Sequence, residues 1–438
     1  MMEDQKMKLK NIATTPPIGW NSWDCYGATV REDEVMGNAE YMAKHLLDYG
    51  WEYVVVDIQW YESAAVSSAY NAYYPLEMDE YSRLIPATNR FPSAKDGQGF
   101  ITLGKKIHGL GLKFGIHIMR GIPRQAVHAN TPILKTDKTA RDIAHPNSIC
   151  PWNTDMYGIN PDAEGAQEYY NSIFELYASW GVDYVKVDDI AASRLYGIHD
   201  EEIKMIQKAI QNSGREMVLS LSPGPAPLEH AEILKDYANV WRMTDDYWDK
   251  WHYLYDMFER CEKWAPHVGP GSWPDCDMLP LGRIGIRSVD GFWDEPPLPA
   301  GQMRDRMTRF TKDEQKTMMS LWCIFRSPLM FGGDLRDNDE WTLSLLTNQE
   351  LMDMPEKITK STQVSRVDDL IIWHAQAEDA QYFALFNASD VDAEMLLDLT
   401  DYEFETSVLD IWSGEQIEFK PIMNFEVPKH GVVLLKMN

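Results

Sequence analysis

Tyr184-Val185-Lys186-Val187-Asp188 is a short run of β-branched and aromatic residues closed by a carboxylate. Such a run reads as a strand. Apolar residues at helical spacing precede it, Ala163 to Trp180, and follow it, Asp200 to Asn212, so the strand lies between two helices. The rhythm repeats outward in both directions. Tyr53 to Asp57 (YVVVD), Lys113 to Met119 (KFGIHIM) and Met217 to Leu221 (MVLSL) are further strands, with weaker ones near Ile18, Val240, Asp277 and Ser327 to Phe331. Asp33 to Leu47 and Thr311 to Phe325 add helices. Strands alternating with helices predict a parallel α/β fold, here a (β/α)8 TIM barrel.

Two stretches interrupt the alternation. Tyr61 to Gln98 is rich in Tyr, Ser, Ala and Pro, and Arg283 to Ala300 carries Pro296, Pro297 and Pro299. In a barrel such insertions decorate the catalytic face. Beyond about residue 360 the helical spacing stops. Leu370 to His374, Tyr382 to Phe386, Glu394 to Leu399, Ser407 to Ile411 and Gly431 to Met437 read as short strands of a small antiparallel β-sandwich. The expected division is a catalytic barrel over residues 1–355 and an all-β domain over residues 356–438.

At 438 residues the chain suits one large domain and one small one. Its net charge of −27 is spread along the chain. Phosphate binding needs clustered Lys and Arg, so nucleic acid is not an expected partner, nor is an anionic membrane surface. A neutral small-molecule or oligosaccharide substrate is compatible. The five cysteines are odd in number and lack metal-type spacing, which fits a reduced cytoplasmic protein. Met1 to Lys10 is polar, with no apolar core of a signal peptide. HExxH, paired CxxC, EF-hand, GxGxxG and P-loop motifs are all missing from the sequence, so neither cofactor nor metal is expected.

Three carboxylates close or follow predicted strands: Asp57, Asp188 and Asp246. A single such Asp is as readily a helix cap or turn residue. Three at the strand ends of a barrel point to chemistry, because those ends carry the active site. Glycoside hydrolysis needs two carboxyl groups flanking the scissile bond, one ionised and one protonated. Lys186 shares a strand face with Asp188 and would favour its charged form, while Trp248 and Trp251 would desolvate Asp246 and raise its proton affinity. Among the 16 Trp, seven lie near predicted strand ends: Trp20, Trp23, Trp60, Trp241, Trp248, Trp251 and Trp273. Any of them could cover the apolar face of a pyranose or fill the core. The same acids with Asp277 could instead bind Mg²⁺ in a barrel lyase. A sugar-binding protein without catalysis is a third reading.

Six segments in order resemble the α-galactosidases and α-N-acetylgalactosaminidases of glycoside hydrolase family twenty-seven. They are TPPIGWNSW (Thr15 to Trp23), YVVVDIQW (Tyr53 to Trp60), WGVDYVKVD (Trp180 to Asp188), WRMTDDYWDKW (Trp241 to Trp251), SWPDCDMLPLG (Ser272 to Gly282) and QKTMMSLWCIFRSPLMFGGDLR (Gln315 to Arg336). The resemblance implies a retaining exo-glycosidase with Asp188 as nucleophile and Asp246 as acid/base. It implies that Trp23 forms an aromatic wall, that Asp57 binds a sugar hydroxyl, and that Lys186, Arg242 and Asp277 line the glycone pocket. Its members often assemble, so a homo-oligomer stays open.

The chain also departs from that pattern. The family's second acid after the second strand is replaced by Ile58, which disfavours a 6-hydroxyl and admits β-L-arabinopyranose. His117 stands where the family has Tyr. Cys150 is kept but Ile190 occupies the place of its usual disulfide partner. Ser222 falls where galactose-specific members have a larger acid, leaving room for an acetamido group. The expected glycones are therefore α-galactosyl or α-N-acetylgalactosaminyl residues, with β-L-arabinopyranosyl as the alternative.

Overall fold

A computed structural model describes residues 11–66, 70–288, 304–402 and 407–437. The expectation for Met1 to Lys10 lies outside them, as does most of the Arg283 to Ala300 insertion. Eight parallel strands form the barrel: β1 (Ile18–Asn21), β2 (Tyr53–Val56), β3 (Lys113–Met119), β4 (Tyr184–Asp188), β5 (Val218–Leu221), β6 (Val240–Arg242), β7 (Trp273–Asp275) and β8 (Leu329–Phe331). They hydrogen-bond in the order β7-β6-β5-β4-β3-β2-β1-β8. A parallel bridge between Leu279 and Phe331 closes the ring, with Leu279 N–H donating to the Met330 carbonyl at 2.7 Å. The seventh strand thus ends before Asp277, not around it. Asp277 has φ +76° and cannot continue a strand.

Residues alternate between the two faces of each strand. Tyr53, Val55, Tyr184, Val218, Val240, Trp273 and Met330 meet inside the barrel, while Val54, Val56, Ile116, Val185 and Val187 pack outward in the main core. Gly115 on β3 is small for a reason: a Cβ there would lie 2.9 Å from Val55 and 3.0 Å from Tyr184. The same parity, carried toward the C-terminal strand ends, turns Asn21, Asp57, Lys186, Asp188, Ser222 and Arg242 inward. Six polar side chains of this kind have no place in an apolar core, so the strand ends become a polar basin.

The helices α1 (Glu32–His45), α2 (Ile101–Gly109), α3 (Ala166–Trp180), α4 (Asp200–Ser213), α5 (Ala231–Tyr237), α6 (Trp251–Trp264) and α7 (Lys312–Phe325) surround the strands. Helix α7 starts at Thr311, whose side chain accepts from the Glu314 N–H while Glu314 accepts from the Thr311 N–H, a reciprocal cap. It is buried on almost all sides because the C-terminal domain covers its outer face. Trp412 Nε1 donates to Ser320 Oγ at 2.9 Å, Thr317 Oγ1 donates to the His430 carbonyl at 2.7 Å, and His430 stacks on Trp251 at 3.6 Å.

After α8 (Gln349–Lys357) come β9 (Ile358–Val367), β10 (Leu370–Ala377), β11 (Gln381–Asn387), β12 (Ala393–Asp398), β13 (Ser407–Asp410), β14 (Gln416–Glu418), β15 (Ile422–Val427) and β16 (Val432–Met437). Six of them form an antiparallel sheet in the order β9-β10-β11-β16-β13-β14, and β12 pairs with β15. Phe383, Leu385, Leu435 and Met437 meet Met395, Leu397, Met423 and Val427 between the layers, which makes a β-sandwich. Strands β9, β14 and β15 go beyond the sequence reading. Between β3 and α3 a small three-stranded sheet (Ile122–Pro123, Ala144–Ile149, Met156–Ile159) is likewise unforeseen.

Candidate active site

The inward residues at the strand ends form one connected network. Asp57, at the end of β2, accepts on Oδ2 from Asn21 Nδ2 (2.8 Å) and Lys186 Nζ (2.9 Å), and on Oδ1 from the Ile58 N–H (2.9 Å). Burial alone would raise its pKa, but Lys186, His117 and these donors outweigh burial and hold it well below the usual carboxylate range. Lys186 is in turn held charged: burial would lower its pKa, and the charges of Asp57, Asp188 and Asp277 prevail over it. Lys186 therefore bonds to Asp57 directly and acts on Asp188 from a distance.

The direct partner of Asp188 is His117, whose Nε2 lies 3.0 Å from Oδ2. A carboxylate only accepts, so Nε2 carries the proton. The Asp189 N–H donates to the other oxygen at 2.8 Å. Burial again opposes ionisation, but the His117 bond, its charge and that of Lys186 bring the Asp188 pKa below the ordinary value. The backbone after Asp188 is fixed by a buried clamp. Arg120 pairs with Asp189 at 2.9 Å and Glu202 at 3.0 Å, and donates Nε–H to the Asp189 carbonyl at 2.6 Å. Tyr170 completes it by donating its hydroxyl to Glu202 at 2.5 Å.

Asp246 sits across the basin on the loop after β6. Its side chain is 62% exposed to the cleft, against 15% for Asp188. Arg242 Nη2 donates to its Oδ1 at 3.2 Å, and Arg242 Nη1 pairs with Asp277 at 2.9 Å. Asp277 is itself anchored by the N–H of Tyr247 (2.8 Å). Although the side chain opens to the cleft, the protein packed around that cleft is the leading cause that lifts the Asp246 pKa to about 6; Asp277, Asp245 and Asp188 add to it and Arg242 opposes it. A sugar bound in the cleft would displace the remaining water and push in the same direction. Asp275, buried beside Asp277, is lifted to about 7 by burial and the Asp277 charge. The basin thus holds an acid kept ionised and an acid poised to hold a proton, the pairing that two-carboxylate chemistry needs.

The other expected residues are distributed as follows. Trp23 is partly exposed, with its N–H donating to Asn21 Oδ1 at 2.9 Å. Ile58 is buried at 1% exposure in the main core and offers no acceptor next to Asp57. Ser222 is buried with its hydroxyl turned to the Val187 carbonyl at 3.4 Å. Trp20, Trp60, Trp241, Trp248 and Trp273 are core residues, and Trp251 is committed to His430. Reasoning from sequence missed Asn21, the Arg120 clamp, Asp275 and two aromatics, Tyr70 and Trp152. Only Asn21 carried a signal, being two residues before Trp23 on an inward position of β1. Among the described residues, no three His, Cys, Asp or Glu side chains are grouped to hold a metal ion. All five cysteines are buried and unpaired, including Cys150.

An inward ring of carboxylates and cations at the C-terminal ends of a (β/α)8 barrel, followed by a β-sandwich, defines a glycoside hydrolase of the barrel type. Comparison with known proteins agrees. Residues 160–292 match the family model described as alpha galactosidase A, and residues 367–437 match that of the alpha galactosidase C-terminal beta sandwich domain. The alpha-galactosidase A of Cellvibrio japonicus is 27% identical over 98% of this chain and 94% of its own. A family 27 β-L-arabinopyranosidase from Geobacillus stearothermophilus, also solved with arabinose, is 61% identical, covers 98% of both chains and superposes with a TM-score of 0.94. A putative alpha-N-acetylgalactosaminidase from Bacillus halodurans C-125 is 58% identical over 97% of both chains, with a TM-score of 0.86. The chain belongs to glycoside hydrolase family 27. That membership sets aside the barrel-lyase reading.

Proposed function

We propose that this chain is a retaining exo-β-L-arabinopyranosidase in which Asp188 is the nucleophile and Asp246 the acid/base. The observation that carries the glycone is Ile58. The residue after Asp57 is a buried hydrocarbon, so a 6-hydroxyl would find an apolar wall where it needs an acceptor. Leaving a polar group unpaired in that position costs about 1–3 kcal/mol. A pentopyranose has no such group. The relative that is 61% identical and named a β-L-arabinopyranosidase supports the same choice.

In the first step the Asp188 carboxylate attacks the anomeric carbon while Asp246 gives its proton to the departing glycosidic oxygen. The bond to the aglycone breaks as the ester to Asp188 forms. In the second step Asp246, now ionised, takes a proton from water, whose oxygen displaces Asp188 and restores both groups. The His117 and Asp189 donors stabilise Asp188 as it leaves. Asp57, Lys186, Arg242 and Asp277 would fix the sugar hydroxyls. Retention calls for the two carboxyl groups to be roughly 5–5.5 Å apart.

An α-galactosyl or α-N-acetylgalactosaminyl glycone is the second reading, favoured by the small Ser222 and by the name of the 58%-identical relative. Initial rates on the nitrophenyl β-L-arabinopyranoside, α-galactoside and α-N-acetylgalactosaminide, with and without chelator, decide between them. Chelator-insensitive cleavage led by the arabinopyranoside supports the proposal; cleavage led by either hexoside replaces it, and binding without turnover would make the protein a sugar-binding relative. Five buried, unpaired thiols suit a reducing, cytoplasmic setting, a further part of this proposal.

A further inference from the structure

Three aromatic rings run together beside the basin. Trp23, beside Asp57 through Asn21, stacks on Tyr70 with centroids 6.4 Å apart and planes 22° apart. Tyr70 in turn meets Trp152 at 5.6 Å and 44°. Tyr70 and Trp152 are only partly buried. Among the described residues, neither the Tyr70 hydroxyl nor Trp152 Nε1 has a hydrogen-bond partner. Rings of this size are normally buried or paired at their polar tips.

These two rings come from separate loops that are tied together. Asp155, three residues after Trp152, accepts from Tyr61 (2.9 Å) and Gln59 (3.1 Å), both on the segment that leads from β2 to Tyr70. The Tyr73 N–H donates to Thr154 Oγ1 at 2.7 Å. The platform is therefore held in place before any ligand arrives, which lowers the cost of binding to it. Burial, with Asp188, Asp57 and Asp246 facing the ring, raises the Tyr70 pKa, so its hydroxyl stays a donor. Arg124 lies over the Tyr73 and Tyr157 rings.

We propose that Tyr70 and Trp152 form the aglycone subsite, a stacking platform for the sugar ring that leaves when the glycosidic bond breaks. This rests on the exo-glycosidase reading above and makes the substrate class an arabinopyranosyl-capped saccharide, not an alkyl glycoside. Flat aromatic faces cover the C–H face of a pyranose, and the unpaired tips of the two rings can meet its hydroxyls.

The test compares two substrates with the same glycone: a β-L-arabinopyranosyl hexose and β-L-arabinopyranosyl fluoride, which has no aglycone ring. The readout is the ratio of their kcat/KM values. Trp152→Ala and Tyr70→Ala should each lower that ratio about tenfold, mostly through KM on the disaccharide. Trp152→Phe should keep most of it. A ratio equal to that of the wild type in both Ala variants overturns the proposal, as does a preference of the wild type for methyl arabinopyranoside over the disaccharide. Fluoride cleavage shows that each variant is folded. A wild type inert toward the fluoride would instead overturn the glycone reading itself.

Discussion

His117 Nε2 stands 3.0 Å from Asp188 Oδ2, and the two residues sit on neighbouring strands two residues out of register. His117 faces Lys186 across the β3–β4 pair, so its ring reaches two residues further along the strand to the carboxylate. Its Nδ1 is buried without a partner, so the side chain is held for the bond it makes to Asp188. His117→Phe should keep the ring volume and lose the donor. With that donor gone, burial of Asp188 is less opposed and its pKa rises. The acid limb of the kcat/KM profile should move to higher pH, and kcat should fall about 10- to 100-fold. His117→Gln, which can still donate, should recover part of both. An acid limb in His117→Phe that matches the wild type would show that His117 does not hold Asp188 ionised.

Asp246 should set the alkaline limb. In the proposed mechanism the free enzyme acts with Asp246 protonated, so kcat/KM should fall as pH rises through about 6. Asp246→Asn should remove that limb and cost far less on the fluoride than on a sugar aglycone, since fluoride leaves without a proton. A profile with the alkaline limb intact in Asp246→Asn would move the acid role elsewhere.

The same groups bear on stability, with a definite sign. Asp246 and Asp275 are lifted to about 6 and about 7 in the fold, above the roughly 3.9 of an unfolded Asp, and the buried Asp275 counts for more because water screens the open Asp246. Between those values the folded chain binds more protons than the unfolded one, so their contribution to stability falls as pH rises and is level above both. The depressed Asp57 and Asp188 act oppositely and lose their contribution only as pH drops through their own folded values, below the ordinary range. Asp275→Asn keeps an acceptor for the Asp277 N–H and removes the burial of a charge. Its melting temperature should exceed that of the wild type at pH 8 and match it near pH 4. A gain equal at both pH values would mean that packing, not ionisation, is responsible.

Much of this was legible because the barrel writes itself in period-two runs. YVVVD and YVKVD are strands whose inner parity carries apolar residues low in the barrel and carboxylates at the top. What stayed hidden had physical reasons. Strand β9, with the sequence ITKSTQVSRV, is an edge strand with mostly exposed or half-exposed residues, so it shows no apolar alternation. The Trp-rich pattern left two roles open, and Trp20, Trp60, Trp241, Trp248 and Trp273 take the core-filling one. Tyr70 and Trp152 lie on loops without periodicity, and their neighbourhood is created only when Asp155 joins those loops. Arg120 gave no sign because its partners Asp189 and Glu202 are far from it in the chain.

Ile58 gives a prediction on specificity. Ile58→Ala would open space beside Asp57 and trim the apolar wall against C6. The ratio of galactoside to arabinopyranoside kcat/KM should rise, and stability should drop by about 2–5 kcal/mol for the cavity in a fully buried site. An unchanged ratio in a folded Ile58→Ala protein would remove Ile58 from the reading of the glycone.

The Arg120 clamp is the last test, because it separates holding Asp188 in place from acting as the proposed nucleophile. Arg120, Asp189 and Glu202 are each 3% exposed or less, so removing the cation strands two carboxylates away from water. Arg120→Met should lower unfolding free energy by about 3–5 kcal/mol, read as a shift of the denaturation midpoint with the slope unchanged. Because Arg120 also fixes the Asp189 carbonyl next to Asp188, kcat should fall as well. The triple change Arg120→Met, Asp189→Asn, Glu202→Gln leaves no unpaired charge and should regain most of the stability, but not the rate, since the backbone clamp is still missing. Recovery of both together would mean that the clamp serves stability alone and that the Asp189 N–H and His117 suffice to place Asp188.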